Sequence, residues 1–456
     1  MRYDCIGANG NSAIHTPNLD ALVADAVNFD NCYCQNPLCM PSRASFMTGL
    51  YPQQTGVTHN GYCLRPDFEP VAARCFSTAG YISTQIGKLH LQPHEDNDLD
   101  PRARYDYGFD KLWLAEEPGA YDDAYMKWLN TEYPDQVQAF RVPRPLHPDR
   151  EKFECPQRID APWTVSYSGW IVEQAKRHLQ GFGVGLGAVK NFMHLGFYAP
   201  HPPLNPTEDM MVPYRDIGLS FPRFCRDGEF QDKPEIMQQI ARRFAGWSKD
   251  EFTEYRRHFY AMVTGVDFAV GELVQFLRRR GELENTLIVF CSDHGDMCGD
   301  HSMTNKHETF YDEIMHVPLF FYWPGGLGGI SRRVSELVEL VDVLPTVLGL
   351  CRIQTPPVMS GTDWSDVMME NKPVEGKDSV LAYHSPGHIM LRTDACKYIR
   401  YADGNEVLFD LQKDAQETVN YSGHPEYEDM LNTMRYKALD RMALSCASPQ
   451  VRKYNF

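Results

Sequence analysis

The sequence predicts an α/β protein with a small C-terminal α+β appendage. Three observations carry this. Short apolar runs rich in β-formers alternate with helical stretches along residues 1–372. Four of these runs end at polar clusters, near Cys39, Lys88 and His90, His201, and Asp293 and His294. The carboxyl ends of strands are where open α/β sheets build their sites. A polar stretch at 371–378 then separates four further strand-like pieces and a helix, dividing the chain into 1–372 and 373–456.

In chain order, Thr16 caps a helix that has Pro17 at its first position and runs to about Ala26. Val27 to Cys34 carries β-formers and reads as a strand. Pro41 suits the first turn of a second helix, Ala44 to Met47 continue it, and Gly49 suits its left-handed close. Pro70 to Ala79 reads as a helix ending at Gly80, and Tyr81 to Ile86 as a strand running into Gly87-Lys88-Leu89-His90. Residues 100–165, rich in Pro, Asp and aromatics, read as an irregular insertion that shapes access to a site. The glycine run Gly181 to Gly187 lacks the G-x-G-x-x-G spacing and precedes a strand, Asn191 to Phe197, so it reads as a flexible turn. Ser248-Lys249-Asp250-Glu251 is a capping box opening a long helix with Phe252, Tyr255, Phe259, Met262, Val263 and Val266 on one side, closed near Gly281. Thr286 to Cys291 is expected as a buried strand, Val317 to Tyr322 as another, and Leu337 to Leu350 as a helix. Strand-like pieces at 379–383, 389–393, 398–401 and 406–411, then a helix over 427–444, complete the appendage.

Composition narrows the function. The net charge of −17 over 456 residues argues against a nucleic-acid surface, which needs clustered Lys and Arg. A site for anions must then be locally basic, which screening over roughly 8–10 Å permits. No window of about 20 uninterrupted apolar residues is present, so no membrane span is expected. Residues 1–20 show no basic start followed by an apolar core, so no signal peptide is expected in this chain. Thirteen scattered cysteines read as reduced thiols in a reducing, cytoplasmic compartment. Cys32, Cys34 and Cys39 are close enough to suggest a metal cluster, but alternation along a strand explains Cys32 and Cys34 more simply.

Cys39 stands at or just before a helix N-terminus, where free N–H groups and the dipole favour negative charge. Arg43, one turn on, can aim a planar donor fork at the same anion. Two readings remain open from spacing alone: an acidified reactive thiol, or a buried structural cysteine beside an ordinary helix.

Cys39-Met40-Pro41-Ser42-Arg43, followed by Ala44-Ser45-Phe46-Met47-Thr48-Gly49-Leu50-Tyr51-Pro52, resembles the signature of the type I sulfatases of the alkaline phosphatase superfamily. The resemblance implies an alkaline-phosphatase-like central mixed sheet flanked by helices. It also implies conversion of Cys39 by a maturation enzyme to formylglycine, whose hydrate attacks the sulfur of a sulfate ester, expected on a sugar. G-K-x-H at Gly87 to His90 resembles the family's lysine and histidine that contact the sulfate and the formylglycine oxygen. Pro200-His201-Pro202-Pro203 marks His201 as the histidine near the leaving oxygen. Asp293 and His294 resemble the metal pair, implying Ca²⁺ or Mg²⁺, and Lys306 resembles the lysine that binds the transferring group; His301 could join it, but a polar residue on the surface is the simpler reading. Residues 392–399 and 408–411 resemble the family's C-terminal subdomain. Two rival readings stand beside this one: hydrolysis of phosphonate or phosphate esters, and non-catalytic binding of an anion or glycan.

One departure stands out. In the family an apolar strand ending in two aspartates precedes the segment matched by Met1 to Asp4, and those aspartates supply half of the metal site. The expectation is that the native chain continues upstream of Met1 with such a strand.

Overall fold

The computed structural model describes residues 1–93, 105–141, 158–182, 189–221, 225, 228–328, 331–370 and 376–446. Its strands are β1 (Val27–Tyr33), β2 (Tyr81–Gly87), β3 (Lys111–Leu114), β4 (Lys190–Gly196), β5 (Ile288–Cys291), β6 (His316–Tyr322), β7 (Arg332–Glu339), β8 (Val380–His384), β9 (His388–Arg392), β10 (Cys396–Arg400) and β11 (Glu406–Asp410). They form a mixed sheet in the order β5-β6-β1-β7, a parallel sheet β3-β2-β4 and an antiparallel C-terminal sheet β11-β10-β9-β8.

The central layer is thus two sheets. Between them lies a cleft of about 1130 Å³ lined by β4 on one side and β5 on the other. Neither strand has a ladder partner on its cleft side among the described residues. This corrects the expectation that the strand ending at Cys291 is buried: all four residues of β5 are only half-buried, because one edge faces open space.

The helix Lys249–Arg280 forms the spine of this layer and packs against the helices Tyr167–Gln180 and Pro17–Ala24. Its capping box forms as its sequence implies, with Glu251 N–H donating to Ser248 Oγ at 3.2 Å and Ser248 N–H donating to Glu251 Oε2 at 2.6 Å. Gly281 closes it at φ +69°, a conformation that favours glycine. The helix is long and apolar enough to cross a membrane, yet 78% of its most apolar window is buried inside the protein, as in a core helix.

Other elements differ from the sequence reading. Residues 332–339 form a strand, and the helix there spans only Val343–Leu350. The insertion is partly regular: Lys111–Leu114 extends the parallel sheet and Ala124–Glu132 is a helix capped by Asp123. Thr16 does not cap the helix it precedes; its hydroxyl accepts from Gly7 N–H at 2.8 Å and donates to Asp20 Oδ1 at 3.1 Å. Most of the glycine run at 183–188 lies outside the described residues, as does 371–375 of the polar stretch. The C-terminal region beyond that stretch is firmly tied to the rest. Lys377 bonds Glu339 and Asp342, each at 2.6 Å, and one apolar core includes Val27 and Phe29 together with Ile399 and Phe409.

Candidate active site

β1 leads through a turn into the helix Cys39–Thr48, where Asn36 Oδ1 accepts the Leu38 N–H at 2.8 Å and Gly49 ends the helix at φ +69°. Cys39 therefore lies in the first turn, 2% exposed, with its Sγ 3.0 Å from His294 Nε2. His294 Nδ1 faces the Gly295 carbonyl at 2.8 Å, so Nδ1 carries a hydrogen there and Nε2 is the ring atom turned to the sulfur.

Two lysines stand close to this point. Burial alone would push the Cys39 thiol up, but Lys306 and then Lys88 outweigh it and hold the thiol well below its ordinary range. Arg43 Nε donates to Asp293 Oδ2 at 2.8 Å, and its Nη1 donates to the Lys88 carbonyl at 3.0 Å. Burial opposes the charge on both partners. The guanidinium nonetheless holds the Asp293 carboxyl far below the usual carboxylate range, and Asp293 raises Arg43 in turn. Lys88 Nζ sits 4.9 Å from the centre of the Tyr198 ring, and burial lowers its pKa.

Lys306 Nζ donates to His201 Nε2 at 2.5 Å, while His201 Nδ1 donates to the Pro202 carbonyl at 2.6 Å. His201 is accordingly a neutral imidazole, lowered to about 3 by burial and then by Lys306. His90 is lowered to about 4 by burial and then by Lys88. The fold thus gathers Cys39, Arg43, Lys88, His90, His201, Asp293, His294 and Lys306 around one point, although they come from four separate strand ends.

His301 does not join them, nor is it on the surface. It is buried between Glu229 and Glu313, with its ring stacked 4.0 Å from Tyr311. Cys32 and Cys34 stay outside the site as well: the sulfur of Cys39 groups with Asp293 and His294 instead. Two contributors escaped the sequence reading. Glu116 Oε1 accepts from the backbone N–H of His90 at 3.0 Å and of Leu89 at 3.3 Å, holding His90 at φ +53°. Tyr198 provides the aromatic wall under Lys88.

One ligand atom each from Cys39, Asp293 and His294 lies within 4.8 Å of the others. That set offers a single carboxylate, already engaged by Arg43 and by the His294 N–H at 3.0 Å, beside one nitrogen and one sulfur. A hard divalent ion such as Ca²⁺ takes six to eight oxygens. Cys39, Asp293 and His294 by themselves do not meet that requirement.

A family model described as Sulfatase matches residues 1–353, and one described as N-sulphoglucosamine sulphohydrolase, C-terminal, matches residues 299–443. An arylsulfatase of Clostridium perfringens is 28% identical over 95% of this chain and 91% of its own length. An ulvan-active sulfatase of Formosa agariphila is 27% identical over all of this chain and 82% of its own. In fold, the phosphonate monoester hydrolase of Agrobacterium radiobacter superposes with a TM-score of 0.83 at 24% identity, covering 97% of this chain and 94% of that one.

Proposed function

Because the chain belongs to the sulfatase family, we propose that it hydrolyses a sulfate monoester carried on a carbohydrate, with Cys39 matured to formylglycine as the reacting group. The observation that carries this is the convergence of Lys88, Lys306 and Arg43 on Cys39 inside a protein of net charge −17. Sulfate transfer develops charge on the equatorial and leaving oxygens, and fixed donors stabilise it without reorganising. The arylsulfatase relative matches over 95% of this chain and the ulvan-active sulfatase over all of it, and the second supports a sugar sulfate.

Matured Cys39 would supply, as its hydrate, the nucleophilic hydroxyl. The chain's own residues do the rest. Lys88 and Lys306 hold the sulfate oxygens, and Arg43 stays anchored by Asp293. His294 Nε2, turned toward position 39, takes the proton of the attacking hydroxyl. His201 and Lys306 share one proton between Nε2 and Nζ, so the pair together acts as the acid for the leaving oxygen. His90 meets the second hydroxyl, whose deprotonation expels sulfate.

The cleft beside this site supports a further part of the reading. Both bounding strands, β4 and β5, run into the site, toward His201 and Asp293 respectively, and apolar Phe192, Leu195, Val289 and Phe290 line the space. An extended apolar segment laid there as an added strand would pair both free edges. Acidic residues at its end would complete the oxygen donors that Asp293 and His294 lack.

The test is to express the protein with a maturation enzyme, measure residue 39 by peptide mass spectrometry, and compare turnover of aryl sulfate and aryl phosphonate esters. An aldehyde at residue 39 with sulfate preferred supports the proposal. Intact cysteine under those conditions counts against it, phosphonate preference replaces the substrate, and binding without turnover by matured protein replaces hydrolysis with anion binding.

A further inference from the structure

We propose that His59, Glu308 and His384 form a binding site for a divalent transition-metal ion of the Zn²⁺ class, separate from Asp293 and His294. His59 lies in the turn after the helix Pro52–Thr55, Glu308 in the loop two residues beyond Lys306, and His384 at the end of β8. One ligand atom from each lies within 4.8 Å of the others. His384 Nε2 and Glu308 Oε1 are 3.6 Å apart, close to the edge of about 3.4 Å that a tetrahedron with bonds of 2.0–2.2 Å requires.

The hydrogen bonds around the three are those of ligands. His59 Nδ1 faces the Asn60 carbonyl at 2.7 Å, which fixes the hydrogen on Nδ1 and leaves Nε2 a lone pair. Asn36 Nδ2 approaches His384 Nδ1 at 3.5 Å while its hydrogens go to the carbonyls of Tyr383 at 2.7 Å and Thr58 at 3.3 Å, and His384 Nε2 is the ring atom turned to Glu308. His388, whose ring stacks 5.8 Å from His384, accepts the Ala402 N–H on Nδ1 at 3.0 Å, so its Nε2 bears hydrogen and it serves as a wall.

Two imidazoles and one carboxylate suit Zn²⁺, Co²⁺ or Ni²⁺ and are too poor in oxygen for Ca²⁺. With His384 buried and His59 exposed, the fourth position opens to solvent. The site also ties together the surroundings of the reacting groups: Asn60, next to His59, accepts the Met40 N–H at 3.0 Å, and Glu308 lies two residues after Lys306.

Co²⁺ titration of chelator-treated protein tests this, because tetrahedral Co²⁺ absorbs in the visible and thiolate ligation adds a distinct charge-transfer band. The expected result is one equivalent bound without the thiolate band, weakened at least tenfold in His59→Ala and in Glu308→Gln and retained in Asp293→Asn. The exposed position of His59 leaves folding of its variant intact, which an unchanged melting temperature verifies. Co²⁺ bound only with the thiolate band, no binding at all, or affinity unchanged in His59→Ala would overturn the proposal.

Discussion

Arg43 and Asp293 are joined by an ion pair, Nε to Oδ2 at 2.8 Å, that ties the first turns of the Cys39 helix to the loop after β5. Both side chains are largely buried, 9% and 14% exposed, so neither charge has water to fall back on. Breaking such a pair from one side costs on the order of 3–5 kcal/mol. Asp293→Asn should therefore lower the unfolding free energy by about that much in urea titration. Arg43→Lys keeps the charge, loses the planar fork and should cost less. Equal stability of Asp293→Asn and the parent would show that the pair carries no weight.

Before maturation, Cys39 should be a thiolate at neutral pH. The ultraviolet thiolate absorbance missing from Cys39→Ser should titrate well below the ordinary cysteine value of about 8.5. Lys306→Met removes the foremost favourable charge and should raise that midpoint by about 1–3 units. A midpoint at or above the ordinary value would contradict the electrostatic reading of the site.

In matured protein, Lys306→Ala should reduce turnover on the order of 100-fold or more, as loss of one preorganised donor does. It also strips His201 of its hydrogen-bond donor. A KM change with kcat preserved would mean that Lys306 binds substrate without sharing in the transfer.

Acid should weaken the fold through its buried histidines. His90, His201 and His194 are neutral in the folded protein, lowered to about 4, about 3 and about 3, in each case first by burial. Unfolded, each binds a proton near 6.5, so their contribution is complete above that pH and is lost as pH falls toward the folded values. His301 works the other way, since Glu229 outweighs burial and raises it. His307 and His316, each lowered to about 4 first by burial, add to the loss, while Asp267 and Glu417, raised to about 6 and about 7 first by burial, join His301 in opposing it. With five imidazoles against three groups, the melting temperature should drop between pH 7 and about pH 4.5. A flat profile by scanning calorimetry would refute this.

The donor deficit beside Asp293 predicts weak Ca²⁺ binding by the chain of 456 residues. Calorimetric titration should show tighter binding, and a higher melting temperature, for a chain carrying an apolar, acid-terminated strand ahead of Met1. Equal affinity in both would remove the proposed occupant of the cleft.

Much of the fold and the site is legible locally. The Cys39 helix, its glycine stop and the capping box at Ser248 each depend on residues within one turn of one another, and each forms. The strand β7 escapes such a reading because Val334, Leu337, Val338 and Val341 fall at helical spacing, while its partner β1 lies some 300 residues earlier in the chain, out of view of any window. Glu116 escapes it because its task is defined by backbone amides 26 and 27 residues away. His301 looks like a polar surface residue in the sequence because its carboxylate partners, Glu229 and Glu313, meet it only in the folded chain.

The divided central layer should also be written into the exchange of amide hydrogens. Along Lys190–Gly196 and Ile288–Cys291, alternate amides point toward β2 or β6 and the others into the cleft. The first set is locked in ladders and opens only with its sheet, while the second meets solvent without unfolding anything. In deuterium, each strand should therefore show a period-two record of slow and fast sites. Any segment that enters the cleft and pairs with both edges should erase that alternation residue by residue.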